Sequence, residues 1–161
     1  MNIEIICIGS LKEHWQKEAE REYKKRLSFY VKVNVTEIHE KRLAKNPSPA
    51  EEEIVRVSEG KAILHSAEKH PGAFIIALDM RGKQYSSENF AKKIDELAFS
   101  GKPTLVFLIG GSLGLSEEVR KKSDIVLSFS EMTFPHQMMR PILLEQLYRA
   151  QKISRGEVYH K

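Results

Sequence analysis

Residues 105–114, LVFLIGGSLG, contain the features that decide the fold of this 161-residue chain. The unbroken apolar run predicts a strand that is buried on both faces, because a strand with one wet face alternates apolar and polar residues. The glycines predict a tight turn, and Ser116 followed by two glutamates is a typical helix start. A buried strand that leads through a turn into a helix is the repeating unit of a parallel α/β sheet.

The same succession recurs along the whole chain. Apolar runs predict strands at 2–8, 31–38, 73–78, 105–109 and 125–127. Apolar spacing and capping residues predict helices over 11–27, 49–68 and 86–101, a short helix from Ser116, and a final helix after Pro135. We expect Trp15 and Ile54 to be buried in the first two helices. The sequence predicts one α/β domain, 1–161, with a mostly parallel sheet and helices on both faces.

Composition narrows the protein class. Lys and Arg total 26 against 22 Asp and Glu, so the net charge of +4 permits a polyanionic partner without requiring one. The single cysteine, Cys7, excludes an intrachain disulfide and favours a reducing compartment. The longest apolar runs are far shorter than the ~20 residues that span a bilayer, and Glu4 interrupts the N-terminal apolar run. We therefore expect a soluble, cytoplasmic protein.

Three strand ends are the candidate binding segments, because ligands of open α/β sheets bind beyond the carboxyl ends of the strands. They are residues 78–83, 109–114 and 127–134. The glycine spacing is GGxxG rather than GxGxxG, and no GK[ST] follows, so a dinucleotide fingerprint and a P-loop are excluded. Two interpretations of the glycines stay open: a turn that needs positive φ, or backbone that approaches a ligand closely.

Other chemistry has less support in the sequence. The six histidines are scattered without metal-ligand spacing, so no metal site is predicted. His136 differs from the others because it lies in a Pro-His turn at the start of the last helix. Cys7 lies in the middle of a predicted strand, so we expect a buried apolar residue rather than a nucleophile.

Basic and aromatic residues alternate near the C-terminus. They are Arg140, Tyr148, Arg149, Lys152, Arg155, Tyr159, His160 and Lys161. This composition is typical of surfaces that contact single-stranded or looped RNA, through stacking and phosphate contacts. A solvated helix end is the alternative.

Several of these segments together resemble the SPOUT (α/β-knot) methyltransferases. Leu78-Asp79 with Gly82-Lys83, and residues 107–111 with Gly114-Leu115, resemble the first motifs of that family. The strongest likeness is residues 127–140, LSFSEMTFPHQMMR, continued by 144–150 and by the ending GEVYHK. The chain is similar over essentially its whole length to the bacterial members that methylate N3 of a pseudouridine in large-subunit (23S) ribosomal RNA.

The resemblance implies S-adenosylmethionine as the methyl donor, bound in a trefoil knot formed by about 100–161. It implies a homodimer whose active site is completed by the C-terminal tail of the partner, and 23S rRNA within the assembled ribosome as substrate. It implies neither a metal nor a membrane. Position by position, the cofactor residues are Leu78, Gly110, Gly111, Phe129, Ser130, Glu131, Met132, Thr133 and Phe134.

The catalytic hypothesis involves four residues. His136, or His160 of the partner subunit, assists deprotonation of N3 of the pseudouridine. Arg140 stabilises negative charge on the base, and Tyr159 positions the nucleotide. A non-catalytic, ribosome-associated RNA-binding module is the competing interpretation.

Pro141 departs from the family pattern, because an aliphatic residue is expected at this position of the last helix. A proline inside a helix removes one hydrogen bond, so it predicts a helix start or a kink there. The wide apolar surface of the same helix supports the dimer, and a fully buried core helix is the alternative.

Overall fold

The computed structural model describes residues 1–102 and 104–159, in which strands and helices alternate. The strands are β1 (Asn2–Ile8), β2 (Lys32–Ile38), β3 (Phe74–Gln84), β4 (Thr104–Ile109) and β5 (Ile125–Ser128). The helices are α1 (His14–Leu27), α2 (Pro49–Ala67), α3 (Ser87–Phe99), α4 (Glu117–Lys122) and α5 (His136–Ser154). Within these described ranges, every helix is too short or too polar to cross a bilayer.

The strands form one sheet in the order β2-β1-β4-β3-β5. All four neighbouring pairs are parallel, which confirms the predicted fold class. Because parallel strands end at the same edge, the segments that follow β3, β4 and β5 meet on one side of the molecule.

Helices cover both faces of the sheet. Along β4, Phe107 faces a core that includes Leu27 of α1, Ile94 of α3 and Leu144 of α5. The next residue, Leu108, faces the opposite core with residues of α2 and α4. Since successive side chains of a strand point to opposite faces, two covered faces require an apolar residue at every position. This explains the unbroken apolar run from which the fold was predicted.

Two predictions about buried helix residues are wrong. Trp15 is 53% exposed, because α1 begins at His14 and turns the neighbouring Gln16 inward instead. Ile54 is 68% exposed, because the buried positions of α2 begin only at Glu59.

Strand β3 is longer than predicted. It does not end at Leu78 but bulges there and resumes pairing where Lys83 lies opposite Leu127. Gly82 permits this close return, since a Cβ atom at this position would lie 2.6 Å from the carbonyl carbon of Val126. The bulge adds residues of the 79–82 segment to the wall of the site described below.

Helix α5 begins five residues before Pro141, so the proline does not start the helix. Its first residue is His136, and Pro141 lies inside the helix. The helix continues to Ser154 and packs against both α1 and α3. His136 therefore occupies the first helical position.

Candidate active site

The ends of β3, β4 and β5 enclose a cavity of about 260 Å³ at the carboxyl edge of the sheet. Every predicted cofactor residue lines this cavity except Glu131, which is exposed. His136 and Met139 from the start of α5 close one side. The three segments selected from the sequence are thus parts of one site.

The glycine turn after β4 forms one wall. Gly114 has a φ of 73°, which favours glycine, and its N–H donates a 3.0 Å hydrogen bond to the carbonyl of Gly111. Gly110 needs to be glycine for a different reason, because a Cβ atom there would lie 2.6 Å from the carbonyl carbon of Gly114. The interpretation of a turn that needs positive φ is confirmed at Gly114, and the close approach of backbone to a ligand stays a prediction.

The segment after β5 forms the facing wall and is held by its own hydroxyl groups. Ser128 Oγ donates to the carbonyl of Ser130 at 2.9 Å, and Ser130 Oγ accepts from the N–H of Met132 at 3.1 Å. Phe129 and Phe134 add aromatic surface to the lining. Apolar walls combined with backbone and hydroxyl groups are typical of pockets for small organic molecules.

Asp79, at the end of the regular part of β3, is already engaged. Its carboxylate accepts the backbone N–H of Arg81 at 3.0 Å and lies 3.4 Å from Nη1 of Arg120. Arg120 also donates to the carbonyl of Leu115 at 2.6 Å. Asp79 therefore ties the bulge of β3 to α4 and to the end of the glycine turn.

His136 faces the cavity on one side and Glu40 on the other. Its Nε2 lies 3.9 Å from Oε1 of Glu40, with side-chain exposures of 21% and 27%. This Nε2 atom is buried and has no hydrogen-bond partner among the described residues.

Arg140 does not line this cavity, and its predicted role in stabilising negative charge on the base stays a prediction. Its Nη1 donates to Glu20 at 2.8 Å and to Glu37 at 2.7 Å, and its Nη2 donates to the carbonyl of Gly9 at 3.2 Å. The residue is 4% exposed. The guanidinium thus joins α1, β1 and β2 behind the start of α5.

Tyr159 packs against other residues of its own chain and does not line the cavity. Its hydroxyl donates to Oε1 of Glu145 at 3.2 Å, and its ring packs edge-on against Tyr148 at a centroid distance of 4.9 Å. The guanidinium of Arg149 lies 4.9 Å from the centre of the Tyr159 ring. One protomer therefore does not bring Tyr159 to His136, and His160 lies outside the described residues.

The carboxylates around the site were not predicted. Glu59 is 4% exposed in α2 and accepts the backbone N–H of Lys41 at 3.0 Å, and burial raises the pKa of its carboxyl. A signal in the sequence could have identified Glu59, because it lies four positions before the apolar Ile63 and therefore on the same face of the helix. Glu20, Glu37 and Glu40 carry no such signal. Across residues 1–102 and 104–159, no cluster of three or more His, Cys, Asp or Glu could hold a metal ion.

Cys7 is 2% exposed, as expected for a residue in the middle of a strand. Burial raises the pKa of its thiol to about 11. Since the thiolate is the reactive form, Cys7 is not a nucleophile at neutral pH. This confirms the sequence-based interpretation.

Comparison with known proteins identifies the family. Over its full length the chain is 50% identical to the "Ribosomal RNA large subunit methyltransferase H" of Clostridium novyi and 52% identical to that of Carboxydothermus hydrogenoformans, with 100% of each protein covered. A probable methylase family protein of Haemophilus influenzae shares the fold, with a TM-score of 0.56 and 16% identity over 99% of this chain and 70% of the other. The family model described as "Predicted SPOUT methyltransferase" matches residues 1–160. The chain belongs to the SPOUT methyltransferase family.

Proposed function

We propose that this protein methylates N3 of a pseudouridine in 23S rRNA and acts on the assembled ribosome in the cytoplasm. The observation that carries the proposal is the cavity, in which three separate motif-bearing strand ends and His136 meet. The relatives named as large-subunit rRNA methyltransferases support the class of substrate. The pseudouridine, its N3 atom and the ribosomal context come from the resemblance of the motifs.

S-adenosylmethionine is the methyl donor of SPOUT methyltransferases, and it supplies an electrophilic methyl group when bound. The cavity residues fit this molecule chemically. Leu78, Phe129 and Phe134 offer apolar surface for an adenine ring, and the backbone of Gly110 and Gly111 offers hydrogen-bonding groups for its edge. Thr133 and the serine hydroxyls suit the ribose and amino-acid parts. Glu131 is exposed, and its proposed contact with the cofactor stays a prediction.

The substrate nitrogen needs a base, because an imide nitrogen is a weak nucleophile until its proton leaves. His136 is the proposed base, since it lines the cavity and imidazole is the side chain that most often acts as a general base. A positioned general base typically contributes ~10²–10⁴-fold to the rate. Arg140 is the residue proposed to stabilise negative charge on the base, and its hydrogen bond to the carbonyl of Gly9 supports the start of α5.

The chain from about residue 100 is proposed to form the trefoil knot of the family. Two features support it. Strand β5 lies beyond β3, at the opposite side of β3 from β4, and the chain then returns as α5 to pack against α1 and α3. The segment between them passes along the cavity beside the glycine turn.

Two measurements test the methyltransferase function. We expect calorimetric heat on titration with S-adenosylmethionine, and competition by S-adenosylhomocysteine. After incubation with intact ribosomes that lack the modification, mass mapping of 23S rRNA should show one methylated pseudouridine, and free subunits should remain unmodified. Salt-sensitive binding to ribosomes without any cofactor dependence would instead indicate the RNA-binding module.

We further propose a homodimer in which Tyr159 and His160 of the partner subunit complete each site. Light scattering should give twice the 18.5 kDa mass of one chain. A mixture of the inactive variants His136→Ala and Tyr159→Ala should recover about a quarter of wild-type activity, because half of the dimers are mixed and each has one intact composite site. Mixing without recovery, or a monomeric mass, would show that each chain acts alone.

A further inference from the structure

We propose that Glu40 is a positioning residue, which holds the imidazole of His136 through Nε2 and leaves Nδ1 to accept the substrate proton. The inference rests on the proposed function, because it names the residue that orients the proposed base. A base that is oriented by a third group is a recurrent arrangement in catalysis.

The neighbouring ends of β1 and β2 place Gly9 and Glu40 beside His136 of α5. These strands pair in parallel, with Ile8 opposite Ile38. The segments that follow the two strands therefore leave the sheet at the same edge, which is the edge of the cavity. Gly9 follows β1 with a φ of 81°, and its N–H donates to the carbonyl of Ile38 at 2.8 Å. A Cβ atom on Gly9 would lie 3.7 Å from Nε2 of His136 and 3.6 Å from Oε2 of Glu40. Gly9 therefore lies beside both side chains, at ordinary van der Waals distance from each.

The unpaired Nε2 of His136 indicates what Glu40 does. A buried polar atom without a hydrogen bond is unfavourable, and Oε1 of Glu40 lies only 3.9 Å away. Hydrogen bonds of catalytic groups are often long in free enzymes and shorten when the substrate binds. With Nε2–H donating to the carboxylate, Nδ1 is the ring nitrogen that retains a free lone pair.

The charges around His136 come from several elements. The first turn of α5 places the positive end of the helix dipole at the ring, which opposes the imidazolium. The charge of Arg140 is balanced by its two glutamates, and Asp79 across the cavity is paired with Arg120 and Arg81. In the part of the chain that the structure describes, Glu40 is the carboxylate within 4 Å of the ring, and it has no Lys or Arg partner. The buried Glu59, which Glu40 repels, accepts the backbone N–H of Lys41.

This arrangement provides an acceptor for the proton on N3 of the substrate base. The N3–H bond of the base breaks, its electron pair stays on N3, and the proton moves to Nδ1 of His136. The ring then carries a positive charge, which the carboxylate of Glu40 stabilises against the helix dipole. A neutral amide at position 40 would keep the shape of the side chain and lose this stabilisation.

The test is Glu40→Gln, assayed for ribosome methylation over a range of pH. We expect kcat to fall about tenfold, a part of what a general base contributes. The acid limb of kcat/KM should move to lower pH by roughly half a unit, since the imidazolium loses a partly exposed ion pair. Affinity for S-adenosylmethionine and the melting temperature should stay unchanged. Glu40→Asp, which restores the charge, should recover part of the rate.

Glu18→Gln is the matched control. Glu18 lies at the same 3.9 Å from Nε2 of His14, but this pair is exposed on α1 with side-chain exposures of 43% and 90%. We expect no change in rate or pH profile. The double variant Glu40→Gln with His136→Ala should be no slower than His136→Ala alone.

The outcomes separate this inference from the proposed function. If His136→Ala loses activity while Glu40→Gln keeps the wild-type rate and pH profile, the role of Glu40 is overturned and the methyltransferase function stands. A loss of melting temperature in Glu40→Gln that accounts for the lost rate would overturn it as well. If the wild-type protein methylates no rRNA, the proposed function itself fails.

Discussion

Gly110→Ala is expected to weaken binding of S-adenosylmethionine about 100-fold, which corresponds to roughly 2.7 kcal/mol. The new Cβ atom would lie 2.6 Å from the carbonyl carbon of Gly114 and 2.9 Å from the nitrogen of Leu115. Both contacts are with backbone, so no side-chain rotation can relieve them and the turn itself must shift. Overpacking of this kind also costs about 3 kcal/mol of unfolding free energy, or a melting temperature about 6–12 °C lower. Calorimetry and thermal denaturation measure the two effects.

Gly72→Ala is the control for this variant. Alanine at position 72 would meet a different obstacle, a positive φ of 74°, while no atom would lie within 4 Å of its Cβ. It precedes β3 at the opposite end of that strand from the cavity. We expect a loss of about 1 kcal/mol of unfolding free energy and unchanged cofactor affinity. Wild-type affinity in Gly110→Ala would show that the turn adapts.

Arg140→Met is expected to lower the unfolding free energy by about 3 kcal/mol and to abolish methylation. The change leaves Glu20 and Glu37 facing each other without the cation between them. Breaking a buried ion pair typically costs about 3–5 kcal/mol, and the lower end applies because the Glu37 side chain is 44% exposed. Methylation is lost because the hydrogen bond to Gly9, beside His136, is lost too. Thermal denaturation should show a decrease of about 6–12 °C.

Lys121→Met provides the comparison for Arg140. Lys121 pairs with Glu117 at 2.7 Å, but the two side chains are 75% and 69% exposed. Exposed pairs contribute less than about 1 kcal/mol, so this variant should melt close to the wild-type temperature. Equal stability of the two variants would mean that the Arg140 cluster is as well hydrated as the surface, and the prediction would be wrong.

The fold was predictable because each strand carries its own evidence. The run Leu105–Ile109 is apolar at every position, and only a strand covered on both faces requires that. Helix phase was less predictable. Leu11 and Trp15 have helical spacing, but the helix starts between them at His14, so the spacing has no meaning there. Ile54 belongs to the first half of α2, where no residue is buried.

The cavity residues were also predictable, since the strand ends that carry the motifs must meet at one edge of a parallel sheet. The groups that support them were not. Arg140 bonds to Glu20 and Glu37 across more than 100 residues of sequence, and neither glutamate lies in a motif. Such contacts depend on how α1 and β2 are placed in three dimensions. The position of Tyr159 on Tyr148 is equally invisible to a linear pattern, because it depends on the tail folding back.

The burial of Cys7 has a practical consequence for spectroscopy. The only thiol of the protein is enclosed in the sheet and hardly ionises at neutral pH. A second cysteine placed at an exposed position, such as Lys69 in the turn before β3, would be alkylated alone. A fluorophore or spin label can therefore be attached at one chosen site without first replacing Cys7. Distances between the two copies in a dimer become measurable with a single substitution.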